Sequence, residues 1–65
     1  MLTERIYVCT TKYKSGLMRE CLGQYLVEEE GPTNEDPGYL FKADIPLWDF
    51  ERVRQSIITI AQMIF

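Results

Sequence analysis

The stretch Tyr39-Leu40-Phe41-Lys42-Ala43-Asp44-Ile45-Pro46-Leu47-Trp48-Asp49-Phe50-Glu51-Arg52-Val53 changes its hydrophobic period partway along, and that change decides the fold class. Tyr39 to Ala43 reads as a short strand. From Leu47 onward the period lengthens. Leu47, Phe50, Val53, Ile57, Ile60, Ala61 and Ile64 follow mostly at steps of three and four, which is the single apolar stripe of a helix. Pro46 suits the first turn, where its missing N–H is no loss. Asp49 and Glu51 fall near the positive end of the helix dipole, with Arg52 and Arg54 beyond them. The β-branched run Ile57-Ile58-Thr59-Ile60 competes with this reading as an edge strand.

Upstream, Gly31-Pro32-Thr33-Asn34-Glu35-Asp36-Pro37-Gly38 is the clearest punctuation in the chain. Proline fixes φ and glycine supplies positive φ, so this segment is a loop, and the runs flanking it pair as a hairpin. Before the loop, Leu17, Met18, Cys21, Leu22, Tyr25 and Leu26 recur at helical spacing, but Gly23 interrupts them. Leu22-Gly23-Gln24-Tyr25-Leu26-Val27 reads equally well as a strand, and we expect a strand over about Glu20 to Glu29. Ser15-Gly16 is expected as a turn. Arg5 to Lys14 is expected as a strand, with Ile6 and Val8 on one face and Tyr7, Cys9 and Tyr13 on the other. The expected architecture is α+β: a small antiparallel sheet of about three strands, packed by one C-terminal helix.

The sixty-five residues make one domain, residues 1–65, because so short a chain cannot divide its apolar residues between two cores. An apolar fraction of 46% is well above a disordered composition. Domains of this size usually gain stability from disulfides, metals or oligomerisation. No histidine and no metal-ligand spacing occur, which leaves a Cys9–Cys21 disulfide or self-association; the expectation is self-association, through the apolar helix end at Ile57, Ile60, Ile64 and Phe65. The C-terminal apolar run is about half the ~20 residues a membrane span requires, and it is interrupted by Thr59 and Gln62. No secretory signal pattern opens the chain, and Cys9 and Cys21 are expected as two buried thiols.

Ten acids against seven bases give a net charge of −3, which argues against a binder of nucleic-acid backbone. No cofactor motif is present. Without histidine there is no Ser-His or Cys-His pair, and no glycine-rich phosphate loop follows a strand, so no catalytic residue is assigned. Glu28, Glu29 and Glu30 point to alternate faces. They read either as a solvated strand end that discourages edge pairing or as an acidic stripe imitating phosphates. Leu47-Trp48-Asp49-Phe50-Glu51 is more unusual. Phe50 lies on the helix stripe, whereas Trp48 is roughly 160–200° away from it by helical geometry. Each aromatic is ordinarily core in a small domain, but aromatics flanked by carboxylates at a helix start also form interaction hot spots.

Tyr39-x-Phe41 and Ile45-x-Leu47-x-Asp49-Phe50-Glu51 resemble the strand-to-helix segment of the small dimeric uracil-DNA glycosylase inhibitors of Bacillus phages. Those carry a Tyr-x-Tyr strand and a Leu-x-Leu-x-Asp-Phe-Glu helix start at the same spacing. The ungapped match covers about a fifth of the chain. The resemblance implies a homodimer of small antiparallel sheets with a helix. It also implies a phage protein that works in the host cytoplasm. Such a protein occupies the DNA-binding groove of the host glycosylase as a DNA mimic and cages the apolar wedge used in base flipping. Phe50 matches the caging phenylalanine and Glu51 the adjacent polar contact; Arg54 stands where the family has a tyrosine. The N-terminal forty residues align loosely and take no role from it. The alternative is a homodimeric regulatory or structural module whose Phe50 is buried in its own dimer. A third reading, nucleic-acid binding through Arg5, Lys12, Lys14 and Arg19, is disfavoured by the net charge.

Overall fold

Strand β3 (Tyr39–Pro46) organises the molecule, because its inward residues Phe41, Ala43 and Ile45 are wholly buried. The computed structural model describes residues 2–64. β1 (Thr3–Thr10) and β2 (Leu26–Glu30) flank β3, both antiparallel to it, giving the order β1-β3-β2. Between β1 and β2 runs a helix, α1 (Lys12–Leu22), followed by a short 3-10 turn at Gly23–Tyr25. After β3 a 3-10 turn at Leu47–Asp49 leads into α2 (Phe50–Ala61). The fold is α+β, with a three-stranded antiparallel sheet, but two helices rather than one cover it.

The extra helix corrects the strand expected over Glu20 to Glu29 and the turn expected at Ser15-Gly16. Gly23 does not interrupt the helical pattern; it ends it. Its φ of 51° suits glycine, and its N–H donates to the Arg19 carbonyl, closing the last turn. Met18 and Leu22 then drop into the core against Phe41, Ala43, Ile45, Val53 and Ile60. The β-former pattern of Tyr25-Leu26-Val27 is real but shorter, and it supplies only the start of β2. β1 correspondingly ends at Thr10, four residues before the expected limit of Lys14. Its alternation holds: Ile6 and Val8 face the core, while Tyr7 and Cys9 face solvent.

The loop of residues 31–38 is built on Thr33 and Asp36. Thr33 Oγ1 accepts from the Asp36 N–H at 3.0 Å, and Asp36 Oδ1 accepts from the Gly38 N–H at 2.9 Å. A Cβ at Gly38 would stand 3.4 Å from the Thr10 carbonyl oxygen, so glycine permits the close passage beside β1. β3 runs on through Asp44, Ile45 and Pro46, beyond its expected end at Ala43, and Pro46 caps the following turn rather than entering the helix. Ile57-Ile58-Thr59-Ile60 is helical. Cys9 is exposed and Cys21 half-buried, both as free thiols, which corrects the expectation that both are buried.

The self-association expected from the helix end loses most of its basis. Ile60 is buried and Ile57 packs against the core, leaving Ile64, 96% exposed, as the main apolar residue there. Phe65 lies outside the described residues. No described helix is long and apolar enough to cross a membrane.

Helix α1 makes two opposite predictions. Gly16 lies within it with open space around a prospective Cβ. Gly16→Ala should therefore stabilise the protein by about 0.5–1 kcal/mol. Met18→Ala should destabilise it by about 2–5 kcal/mol through the cavity left behind. Urea unfolding measures both. A Gly16→Ala variant less stable than wild type would contradict the helix.

Candidate functional site

The start of α2 is held rigidly from behind. Asp49 is only 7% exposed, and its carboxylate accepts from the Arg52 guanidinium through two bonds of 2.7 and 2.8 Å. It also accepts from the Tyr25 hydroxyl at 2.7 Å. The side-chain hydrogen bond from Arg52, and then that from Tyr25, hold the Asp49 carboxyl down at about 2. This latch ties the segment after α1 to the segment before α2. Asp49, expected among the partner-contacting residues, is thus turned inward.

In front of the latch the surface is apolar. Trp48 is 75% exposed, Leu47 is half-exposed, and the Leu47 N–H donates to the Leu2 carbonyl at 3.2 Å. That bond brings Leu2, 76% exposed, to the same corner. The opposed directions expected for Trp48 and Phe50 are observed. Phe50 turns inward, half-buried, and lines an apolar cleft of about 190 Å³ with Ile6, Val8, Ile45, Val53, Arg54 and Ile57. The cleft lies between β1 and α2.

Glu51 is exposed but not free. Arg54 donates to both of its oxygens, at 2.7 and 3.0 Å, and Gln55 adds a third bond at 3.1 Å. The Arg54 hydrogen bonds, chiefly, lower its carboxyl to about 2. The carboxylate stays ionised, but its charge is balanced on the same helix face. Arg54 both neutralises Glu51 and forms one wall of the cleft.

The other acids behave similarly. Glu28 and Glu30 face Lys42 at 3.5 and 3.7 Å, while Glu29 on the opposite face pairs with Arg19. The triple-glutamate run is therefore partly balanced, three carboxylates against Lys42 and Arg19, and split between two faces. Glu4, Glu20, Glu35 and Asp36 make no ion pair among the described residues. Of the candidate phosphate-binding bases, Lys12 makes no ion pair among the described residues and the other three are engaged. Arg5 is paired with Asp44, Arg19 with Glu29, and Lys14 donates to the Ala61 carbonyl.

Among the described residues no cluster of ligating side chains can hold a metal. The sequence reading missed Tyr25, Leu2, Ile6 and Val8 as parts of this region. Arg52 was legible from its i, i+3 spacing to Asp49. Tyr25 carried no local signal, being twenty-four positions away from its partner.

The latch predicts an acid-sensitive window. A carboxyl whose folded-state value is depressed contributes stability above its unfolded value and loses it as pH falls through the folded one. For Asp49 that window runs from the ordinary 3.8 down to about 2. The melting temperature of wild type should fall as pH drops through it. Asp49→Asn should be less stable at neutral pH and show a shallower fall over the same range. Equal slopes for the two proteins would remove the latch from the account.

No protein-family model, curated protein or solved structure matches the chain.

Proposed function

We propose that the protein acts by docking onto another protein through the apolar corner at the start of α2, and that its target is a uracil-DNA glycosylase. The observation that carries the docking is Trp48, three-quarters exposed beside Leu47 and Leu2 on a turn fixed by Asp49, Tyr25 and Arg52. A large exposed aromatic on a rigid support binds without losing much side-chain freedom, which is the character of a hot spot. Phe50 and the cleft behind it offer an apolar recess for a small aliphatic side chain. The choice of target rests on the resemblance of Tyr39–Glu51. A base-flipping enzyme carries a basic groove and commonly an apolar wedge, and an inhibitor with net charge −3 suits the first.

In this reading the anchor is apolar and the carboxylates are secondary. Glu51, already balanced by Arg54, assists association more than it holds the complex. The runner-up, a homodimeric module with no glycosylase target, is favoured by one specific observation: the Phe50 cleft adjoins β1, at the edge of the sheet.

The test is uracil excision with added protein. Wild type should block the enzyme at a stoichiometric ratio. Trp48→Ala and Phe50→Ala, each first shown to be folded by circular dichroism, should bind about thirty- to a thousandfold more weakly, as loss of ~2–4 kcal/mol at an anchor implies. Glu51→Gln should weaken inhibition less, with an effect that shrinks in salt. Failure of wild type to inhibit several bacterial glycosylases would leave the homodimeric module as the reading.

A further inference from the structure

Arg54 stands on the boundary between two rows of α2. Phe50 and Ile57, about one turn before and after it, line the apolar cleft, and Arg54 completes their row. Glu51 and Gln55 form the next row, exposed to solvent. The arginine serves both rows. Its stem covers the cleft wall while its guanidinium reaches Glu51 at 2.7 and 3.0 Å.

An ionised carboxylate has about four acceptor positions. Oε1 of Glu51 accepts from Arg54 Nη2 and Gln55 Nε2, and Oε2 accepts from Arg54 Nε, so its own helix fills most of them. A lysine or arginine arriving from a partner meets a carboxylate nearly saturated and a like charge beside it. The base it must displace is tethered one turn away and competes as an intramolecular group, at high effective concentration. Asp49 is closed off by Arg52 in the same manner. The start of α2 thus sets two carboxylates against two guanidinium groups. The acids that make no ion pair among the described residues, Glu4, Glu20, Glu35 and Asp36, lie on other elements.

Given the docking proposed above, we infer that Arg54 is the specificity-determining residue of this site, an internal base that withholds Glu51 from basic surfaces at large. Binding then depends on the apolar contact. A basic protein with no side chain for the cleft gains nothing from Glu51 and is repelled by Arg54. A partner that fills the cleft packs against the arginine stem and gains the apolar contact whatever the charge does. An element that disfavours partners sharing only part of the right chemistry is how an interface becomes selective.

Two variants of equal net charge supply the test. Arg54→Met keeps an alkyl wall for the cleft and frees Glu51. Lys12→Met removes the same charge at the first residue of α1, where it frees no acid. Arg54→Met should bind the glycosylase about two- to fivefold more tightly than wild type, the worth of an exposed pair, and more tightly than Lys12→Met. The gain should vanish in the double variant Arg54→Met with Glu51→Gln, and shrink in added salt. Selectivity should fall, so Arg54→Met should need more salt than Lys12→Met for release from immobilised polylysine. Titration of Glu51 by NMR should move from about 2 in wild type toward the ordinary 4.5 in Arg54→Met. Inhibition by wild type with no gain in Arg54→Met over Lys12→Met overturns this inference and leaves the docking intact. A wild type that inhibits no glycosylase overturns both. If Arg54→Met fails to fold, Arg54→Gln takes its place, and a Glu51 carboxyl titrating near 4.5 in wild type overturns the inference directly.

Discussion

One face of β3 has to be kept from water, and most of the structure follows from that. Phe41, Ala43 and Ile45 are all wholly buried in the middle of the sheet. Burying a side chain such as phenylalanine or isoleucine is worth about 1.5–3 kcal/mol, and leaving it exposed forfeits as much. Both helices share that task. α2 contributes Val53 and Ile60 to the core, and α1 contributes Met18 and Leu22. Arg19 completes the cover, its guanidinium 6.0 Å from the centre of the Phe41 ring while it pairs with Glu29. Two helices, not one, thus close the core over the sheet.

The charges are arranged to hold this small assembly together more than to decorate it. Six of its acids face a basic partner within the chain, from Arg5–Asp44 across the sheet to Arg54–Glu51 along α2. Exposed pairs of this kind contribute little individually. Asp49 is different, because it is buried and fully hydrogen-bonded, and it joins two turns that no backbone bond connects. By neutralising its own carboxylates the chain leaves its corner apolar. Leu47 and Trp48 are exposed on that corner, which is the surface we propose for docking.

The apolar residues at the start of α2 face two ways. Leu47 and Trp48 point away from the sheet, whereas Phe50 points under it toward Ile6 and Val8. A residue pair only two positions apart therefore serves two directions. A two-residue slip, a rotation of about 200°, would exchange them, and the 3-10 turn at Leu47–Asp49, held by the latch, sets the phase.

The sequence by itself determined the elements whose signals are local. The loop of residues 31–38 was legible because proline and glycine restrict φ wherever they stand. α2 was legible because its stripe repeats over about three turns, and the alternation of Ile6 and Val8 against Tyr7 and Cys9 needed only period two. The opposed directions of Trp48 and Phe50 likewise follow from helical geometry. What the tertiary structure alone decided depends on partners far along the chain. Leu17 to Leu26 satisfied two periods at once, and packing of Met18 and Leu22 on Phe41 chose the helix, turning Gly23 from an interruption into its end. Asp49 looked like a surface acid because nothing local reveals that Tyr25 lies beside it. Glu51 reads as an unpaired acid because composition does not show that Arg54 and Gln55 already hold it. A polar side chain's role is set by whichever group reaches it in space, and that is not written in its neighbours.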